Sequence, residues 1–290
     1  MPPGPERGAP TGTSQLSLTL SVVGQTIRVR CEHPPLHELL GAAFGAMRVE
    51  RRREATDIDY VVGEMPGSSV SYIVRGEEPP LSARNPGEFL YLFDKDLTIE
   101  LQKRRADLFF IHAAVVSRGE TALVFAAPSG SGKSTLTWAL LTHGFRYLSD
   151  ELAPIDLGSM YVHAYPHALH LKRPPPSPYA LPVGAIETPW GWHVPGAALP
   201  CGSLRDPLRI GAICFVDRSG ALPSRPNPVT RASAVARLFA NALNPLAHAN
   251  DGLDAAVAIA QAIPSFELDT SSLPRACAGL EELALAVGVV

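Results

Sequence analysis

The run Ala127-Pro-Ser-Gly-Ser-Gly-Lys-Ser-Thr135 constrains this chain more than any other, because of what flanks it. Residues 121–126 are apolar and β-prone, and residues 133–143 carry Leu136, Ala139, Leu140 and Leu141 at helical spacing. A strand must therefore turn sharply into a helix, and Gly130 and Gly132 let the turn curl until successive backbone N–H groups point inward. Those amides and the positive end of the helix form a cradle for phosphate oxygens. Lys133 is placed to reach a β- and γ-phosphate, and Ser134 to offer its hydroxyl to Mg²⁺. Gly144 sits where a helix C-terminal cap is expected. A Gly-Ser-rich turn that binds nothing is the alternative, and the strand before and helix after count against it.

Asp150 and Glu151 lie shortly downstream, at the end of the strand-like run 145–149. A helix of about eleven residues carries the chain roughly 16 Å away from the phosphates, and the next strand brings it back. Both carboxylates then return to the sheet end where ligands of open α/β sheets bind. Two acids can divide the labour of phosphoryl transfer, one holding the metal and the other taking the proton of an attacking hydroxyl. Asp150 is assigned as the base and Glu151 to the metal, with the reverse division open; a turn cap and a solvated carboxylate form the bland alternative. His112 precedes the phosphate loop by one strand, between Ile111 and Ala113. Judged alone, a histidine so placed reads as a hydrogen-bonded core residue.

With 290 residues, a composition of 46% hydrophobic and 18% charged residues gives a globular chain with a sizeable core and excludes a disordered one. The formal charge of -3 favours neither nucleic acid nor an anionic membrane. The four cysteines, Cys31, Cys201, Cys214 and Cys277, form no C-x-x-C pair, which suits a reducing cytoplasm. Neither a signal peptide nor a membrane span is visible. Residues 1–14, rich in Pro, Gly and Thr, read as a disordered leader. Residues 15–105 read as a small α+β domain: a hairpin (15–23 and 26–31), a helix over 34–47, strands at 58–62 and 69–75, and over 89–105 a short strand followed by a helix. Residues 106–290 read as the chemical domain. Its strands fall at 108–117, 121–126, 145–149, 210–216 and 265–269, and its later helices at 231–243, 252–262 and 275–287. The Pro- and Gly-crowded stretch 173–205 reads as a long loop or lid, with Trp190 and Trp192 as possible acceptor contacts.

His112-Ala-Ala-Val-Val, the loop from Ala127 to Thr135 and Gly144-Phe-Arg-Tyr-Leu-Ser-Asp-Glu151 together resemble, in order and spacing, the catalytic domain of HPr serine kinase/phosphorylase. The nearest likeness is to HPr-kinase-related proteins of bacterial gene clusters, some of them peptide-tailoring. The resemblance covers about residues 108–172. It implies an α/β fold with a P-loop kinase core of the HPr kinase/phosphoenolpyruvate carboxykinase type and a smaller N-terminal α+β domain. It further implies ATP and Mg²⁺ as cofactors and transfer to a serine hydroxyl. Pro128, Ser129, Gly130, Ser131, Gly132, Lys133, Ser134 and Thr135 would bind the triphosphate, Ser134 and Glu151 the metal, and Asp150 would accept the proton. Lys133 and His112 match active-site positions. Ala127-Pro128 replaces the family's Gly-Asp, Thr135 stands where Glu is frequent, and Glu151 replaces an Asp. No segment resembles that of the phosphorolytic reverse reaction, and residues 1–105 do not suggest the parent enzymes' regulatory domain.

The expected activity is thus an ATP-dependent kinase acting on a serine of a peptide or small protein, with no nucleic-acid or membrane partner and with homo-oligomerisation left open. A kinase of a free small molecule and a non-catalytic nucleotide-binding regulator are the alternatives, and GTP or pyrophosphate as donor stays open. Lys172 and Arg218 follow core strands and are candidates for neutralising phosphate charge. His163, His167 and His170 do not align as a metal site because Pro166 interrupts any helix there. Arg51-Arg-Arg53 reads as a solvated charged face.

Overall fold

The computed structural model describes residues 16–50 and 55–288. The proposed leader and Arg51–Arg53 lie outside the described residues. The described residues open on the expected hairpin, β1 (Leu16–Val22) and β2 (Gln25–Cys31), followed by α1 (Pro34–Phe44), β3 (Ile58–Glu64), β4 (Ser71–Arg75), β5 (Leu81–Ala83) and α2 (Pro86–Arg104). The five strands form one sheet in the order β1-β2-β3-β4-β5.

The strand-then-helix expectation for 89–105 is corrected: a single helix starts at Pro86. Asn85 caps it, its Oδ1 accepting from the Glu88 amide at 2.9 Å, while the Glu88 carboxylate accepts from the Arg84 amide at 2.8 Å. Pro at the first helical position needs no amide partner. Phe89, Phe93, Leu97 and Leu101, spaced by four, form the buried stripe.

A long strand, β6 (Leu108–Arg118), leads into β7 (Thr121–Ala126), α3 (Lys133–Thr142), β8 (Arg146–Ser149), β9 (Leu152–Asp156) and β10 (Tyr161–Val162). Then come β11 (Leu169–Leu171), β12 (Ile186–Thr188), β13 (Gly191–Val194), β14 (Leu208–Asp217), β15 (Asn227–Pro228), α4 (Arg231–Ala240), α5 (Leu253–Ala262), β16 (Ser265–Asp269) and α6 (Leu273–Val287). The main sheet is mixed, ordered β10-β9-β6-β7-β14-β16-β15, with β8 also on β6. Strands β7, β14 and β16 run parallel, whereas β6 is antiparallel to β7, β8 and β9. The stretch 173–205 is not all loop, because β13 pairs with both β11 and β12 in a separate antiparallel sheet of three strands.

Strand β6 holds the layers together. Its Phe109, Ile111, Ala113 and Val115 enter an apolar core with residues of α4 and α5. Ala114 and Val116 face a second core that includes residues of α3 and α6. Leu108 and Phe110 instead join the N-terminal core, together with Leu152, Tyr165 and Ala168. Phe110 is fully buried there, a burial that contributes roughly 1.5–3 kcal/mol. The first sheet and its helices therefore share their core with the second sheet. Among the described residues, no helix is long and apolar enough to cross a membrane.

Candidate functional site

Because β7, β14 and β16 are parallel, Ala126, Asp217 and Asp269 end at one edge of the sheet. The phosphate loop emerges there. Gly130 and Gly132 both adopt positive φ, 85° and 96°, and Gly132 caps α3 in the left-handed conformation. A Cβ on Gly132 would come within 2.5 Å of Arg218 Cδ, so the side chain following β14 lies directly against the loop. Lys172, just after β11, donates to Ser129 Oγ at 3.3 Å.

Lys133 is almost fully buried and turns back under the loop, donating to the carbonyls of Ala127 at 2.6 Å and Pro128 at 3.1 Å. Its third contact is His112 Nε2 at 3.0 Å. An ammonium group can only donate, so Nε2 must accept and the ring proton belongs on Nδ1. That proton points to Glu151, whose carbonyl oxygen is 3.2 Å and Oε1 3.4 Å from Nδ1. Burial first and the Lys133 charge second lower the His112 pKa, which keeps the ring neutral and fixes this tautomer. Burial likewise pulls Lys133 down to about 8, with Glu151 and Asp150 opposing the shift.

Asp150 and Glu151 occupy the two-residue bend between β8 and β9, both of which pair with β6. Ser149 Oγ accepts from the amides of Glu151 at 3.3 Å and Leu152 at 3.0 Å, which holds the bend. The two acids differ in setting. Asp150 is 2% exposed and accepts from Tyr147 Oη at 2.7 Å through Oδ1 and from the His170 amide at 3.2 Å through Oδ2. Glu151 leans into the cleft with a side chain 52% exposed. Its position inside the cleft, followed by the Asp150 and Asp94 charges, nevertheless raises its pKa to about 7.

One cavity of about 1200 Å³ is lined by Ser129, Gly130, Gly132, Lys133, Ser134 and Thr135. His112, Asp150, Glu151, Lys172 and Arg218 face the same space. Ala127 and Pro128 contribute through their carbonyls to Lys133, and Ser131 follows Pro128 in the turn, its amide donating to the Pro128 carbonyl at 3.3 Å. Among the described residues no group of three or more His, Cys, Asp or Glu could hold a metal unaided. The hydroxyl of Ser134 and the carboxylate of Glu151 are hard oxygen donors of the kind Mg²⁺ takes, the rest of its shell being substrate oxygens and water.

Sequence reasoning missed one contributor and undervalued another. Asp94, on α2, accepts from Tyr165 Oη at 2.6 Å and lines the cleft. Nothing in its local pattern separates it from a solvated helix residue, because its partner lies 71 residues away. His167 Nε2 is 3.3 Å from Asp150 Oδ1, outside hydrogen-bond geometry. Burial opposes its charge, but Asp94, Asp150 and Glu151 together raise its pKa. His163 stands apart from this cavity.

No protein-family model matches the sequence, and no curated protein matches it. Among solved structures, the chain is similar to the Hpr(Ser) kinase/phosphatase from Coxiella burnetii at 13% identity and a TM-score of 0.33. That likeness covers 61% of this chain and 98% of the other. At such a distance it carries no functional argument, and the chemistry rests on the geometry of the cleft.

Proposed function

We propose that the protein is a phosphotransferase that uses ATP and Mg²⁺ to phosphorylate a hydroxyl, that of a serine in a peptide or small protein. One observation carries this reading: His112 touches Lys133 on one side and Glu151 on the other, so the phosphate loop and the acid pair share a single cleft. Catalysis here is chiefly positioning and charge neutralisation. The amides of residues 129–135 and the Lys133 ammonium bind the triphosphate oxygens, and Lys172 and Arg218 add positive charge at the loop. Ser134 and Glu151 would hold Mg²⁺, which would supply neutralisation of phosphoryl charge. Asp150 accepts the proton of the attacking hydroxyl.

The reverse division of the acids has its own support. Both Asp150 oxygens already accept hydrogen bonds, whereas Glu151 reaches into the cleft with a pKa near neutrality, the property of an efficient base. In either division, incubation with ATP and Mg²⁺ adds the mass of one phosphate to a mapped serine of an acceptor peptide. Nucleotide hydrolysis with no peptide modified would count against a peptide kinase.

A further inference from the structure

The cleft exceeds the roughly 300–1,000 Å³ typical of a small-molecule pocket, and residues 129–135 form only part of its lining. A second wall is built from α2 and the β12–β13 hairpin. These elements meet closely: a Cβ on Gly87 would lie 2.9 Å from Thr188 Oγ1 and 3.2 Å from Trp190 Cβ. The approach sets Tyr91 against Trp190, with ring centroids 5.1 Å apart and planes inclined by 50°. The pair packs yet stays open, at 48% exposure for Tyr91 and 42% for Trp190, and both rings line the cleft.

A second observation lies deeper in that wall. His193 Nε2 is buried without a hydrogen-bond partner, and His167 Nε2, 3.3 Å from Asp150 Oδ1, makes no aligned hydrogen bond; both side chains line the cleft. The His167 side chain is 10% exposed and His193 9%. A buried polar atom without an aligned partner is destabilising, and a ligand supplying that partner would relieve it. His170 ties the wall to the chemistry: its amide donates to Asp150 Oδ2, and its Nε2 lies 3.1 Å from the Trp190 carbonyl.

We infer that this wall is the acceptor subsite and that it binds a peptide whose serine is flanked by an aromatic or large apolar residue. The inference rests on the phosphotransferase reading. With the triphosphate on the loop, the hydroxyl approaches along the wall that carries Trp190. The flanking side chain lies on the open Tyr91–Trp190 pair, and peptide groups of the acceptor meet His167 and His193.

The test uses the full chain, radiolabelled ATP, Mg²⁺ and a set of serine peptides varied within two positions of the serine. Peptides with Phe, Tyr, Trp or Leu there should be favoured over Gly, Asp or Lys by about tenfold in kcat/KM, the equivalent of about 1.4 kcal/mol. Trp190→Ala and Tyr91→Ala should each bring the preference near unity by raising KM, and Trp190→Phe should restore it. Preference surviving in both alanine variants, a wild-type protein that selects no aromatic residue, or phosphorylation of no peptide would each overturn the subsite. Nucleotide binding by the wild-type chain, measured by calorimetry, separates the two levels. If it is absent, the phosphotransferase reading fails; if it is present with flat peptide selection, only the acceptor wall fails.

Discussion

Lys133 makes three contacts that a triphosphate would have to replace under the proposed function, two of them to carbonyls of its own loop. Its lowered pKa of about 8 means that at pH 8.5 the free protein carries it mostly neutral. Phosphate oxygens favour the ammonium form, so nucleotide binding at pH 8.5 should take up most of one proton. Calorimetry in buffers of different ionisation enthalpy checks this, and Lys133→Arg should remove the uptake. Glu151 shifts in the opposite direction. Its folded pKa of about 7 exceeds the ordinary 4.5, so the folded state holds the proton longer than the unfolded state. Stability from this group is therefore fully present below about pH 4.5 and is lost as pH rises through about 7. The rate follows the opposite course: kcat/KM should climb as Glu151 ionises near pH 7, and Glu151→Gln should abolish that limb of the pH profile. Asp150→Asn tests the other assignment, since unchanged turnover would remove Asp150 as the proton acceptor.

At the scale of elements, the strand–turn–helix around residues 127–135 was legible because its neighbours declare themselves: an apolar strand, two glycines and a helix followed by Gly144, whose φ is 88°. Gly132→Ala should damage it twice, through positive φ and through contact with Arg218. A loss of about 1–3 kcal/mol in stability is expected, together with weaker nucleotide binding; thermal unfolding and titration measure the two. Gly130 is equally left-handed but has open space at its Cβ, so Gly130→Ala should perturb less. Helix α2 was half hidden because Phe89-Leu-Tyr-Leu-Phe93 is apolar enough to pass for a strand. The decisive signal was upstream, in Asn85-Pro86-Gly-Glu88, a helix start that outranks β-propensity. Strand β13 was masked differently: Trp190, Trp192 and Val194 do alternate, but the Pro and Gly around them suggest a loop. Its pairing with β11 is a tertiary contact that no local pattern announces.

Across the whole molecule, the sequence divides near residue 105 while the apolar core does not. Leu108 and Phe110 of β6 and Leu152 of β9 are buried against the first sheet and its helices, and α2 delivers Asp94 and Tyr91 to the cleft. A chain beginning at residue 106 would expose those core side chains to water. It should fail to unfold cooperatively, which circular dichroism during heating would show. The acids and the phosphate loop were legible from spacing, but the second wall was not, because it comes from sequence-distant segments. The central claim is that the loop, Lys133 and the acid pair form a nucleotide site. Calorimetric titration of the full chain with ATP and Mg²⁺ should give saturable heat at one site per chain, and Lys133→Ala should weaken that binding by about 10–10²-fold. No heat from the wild-type chain, or the same affinity in the variant, would contradict the account.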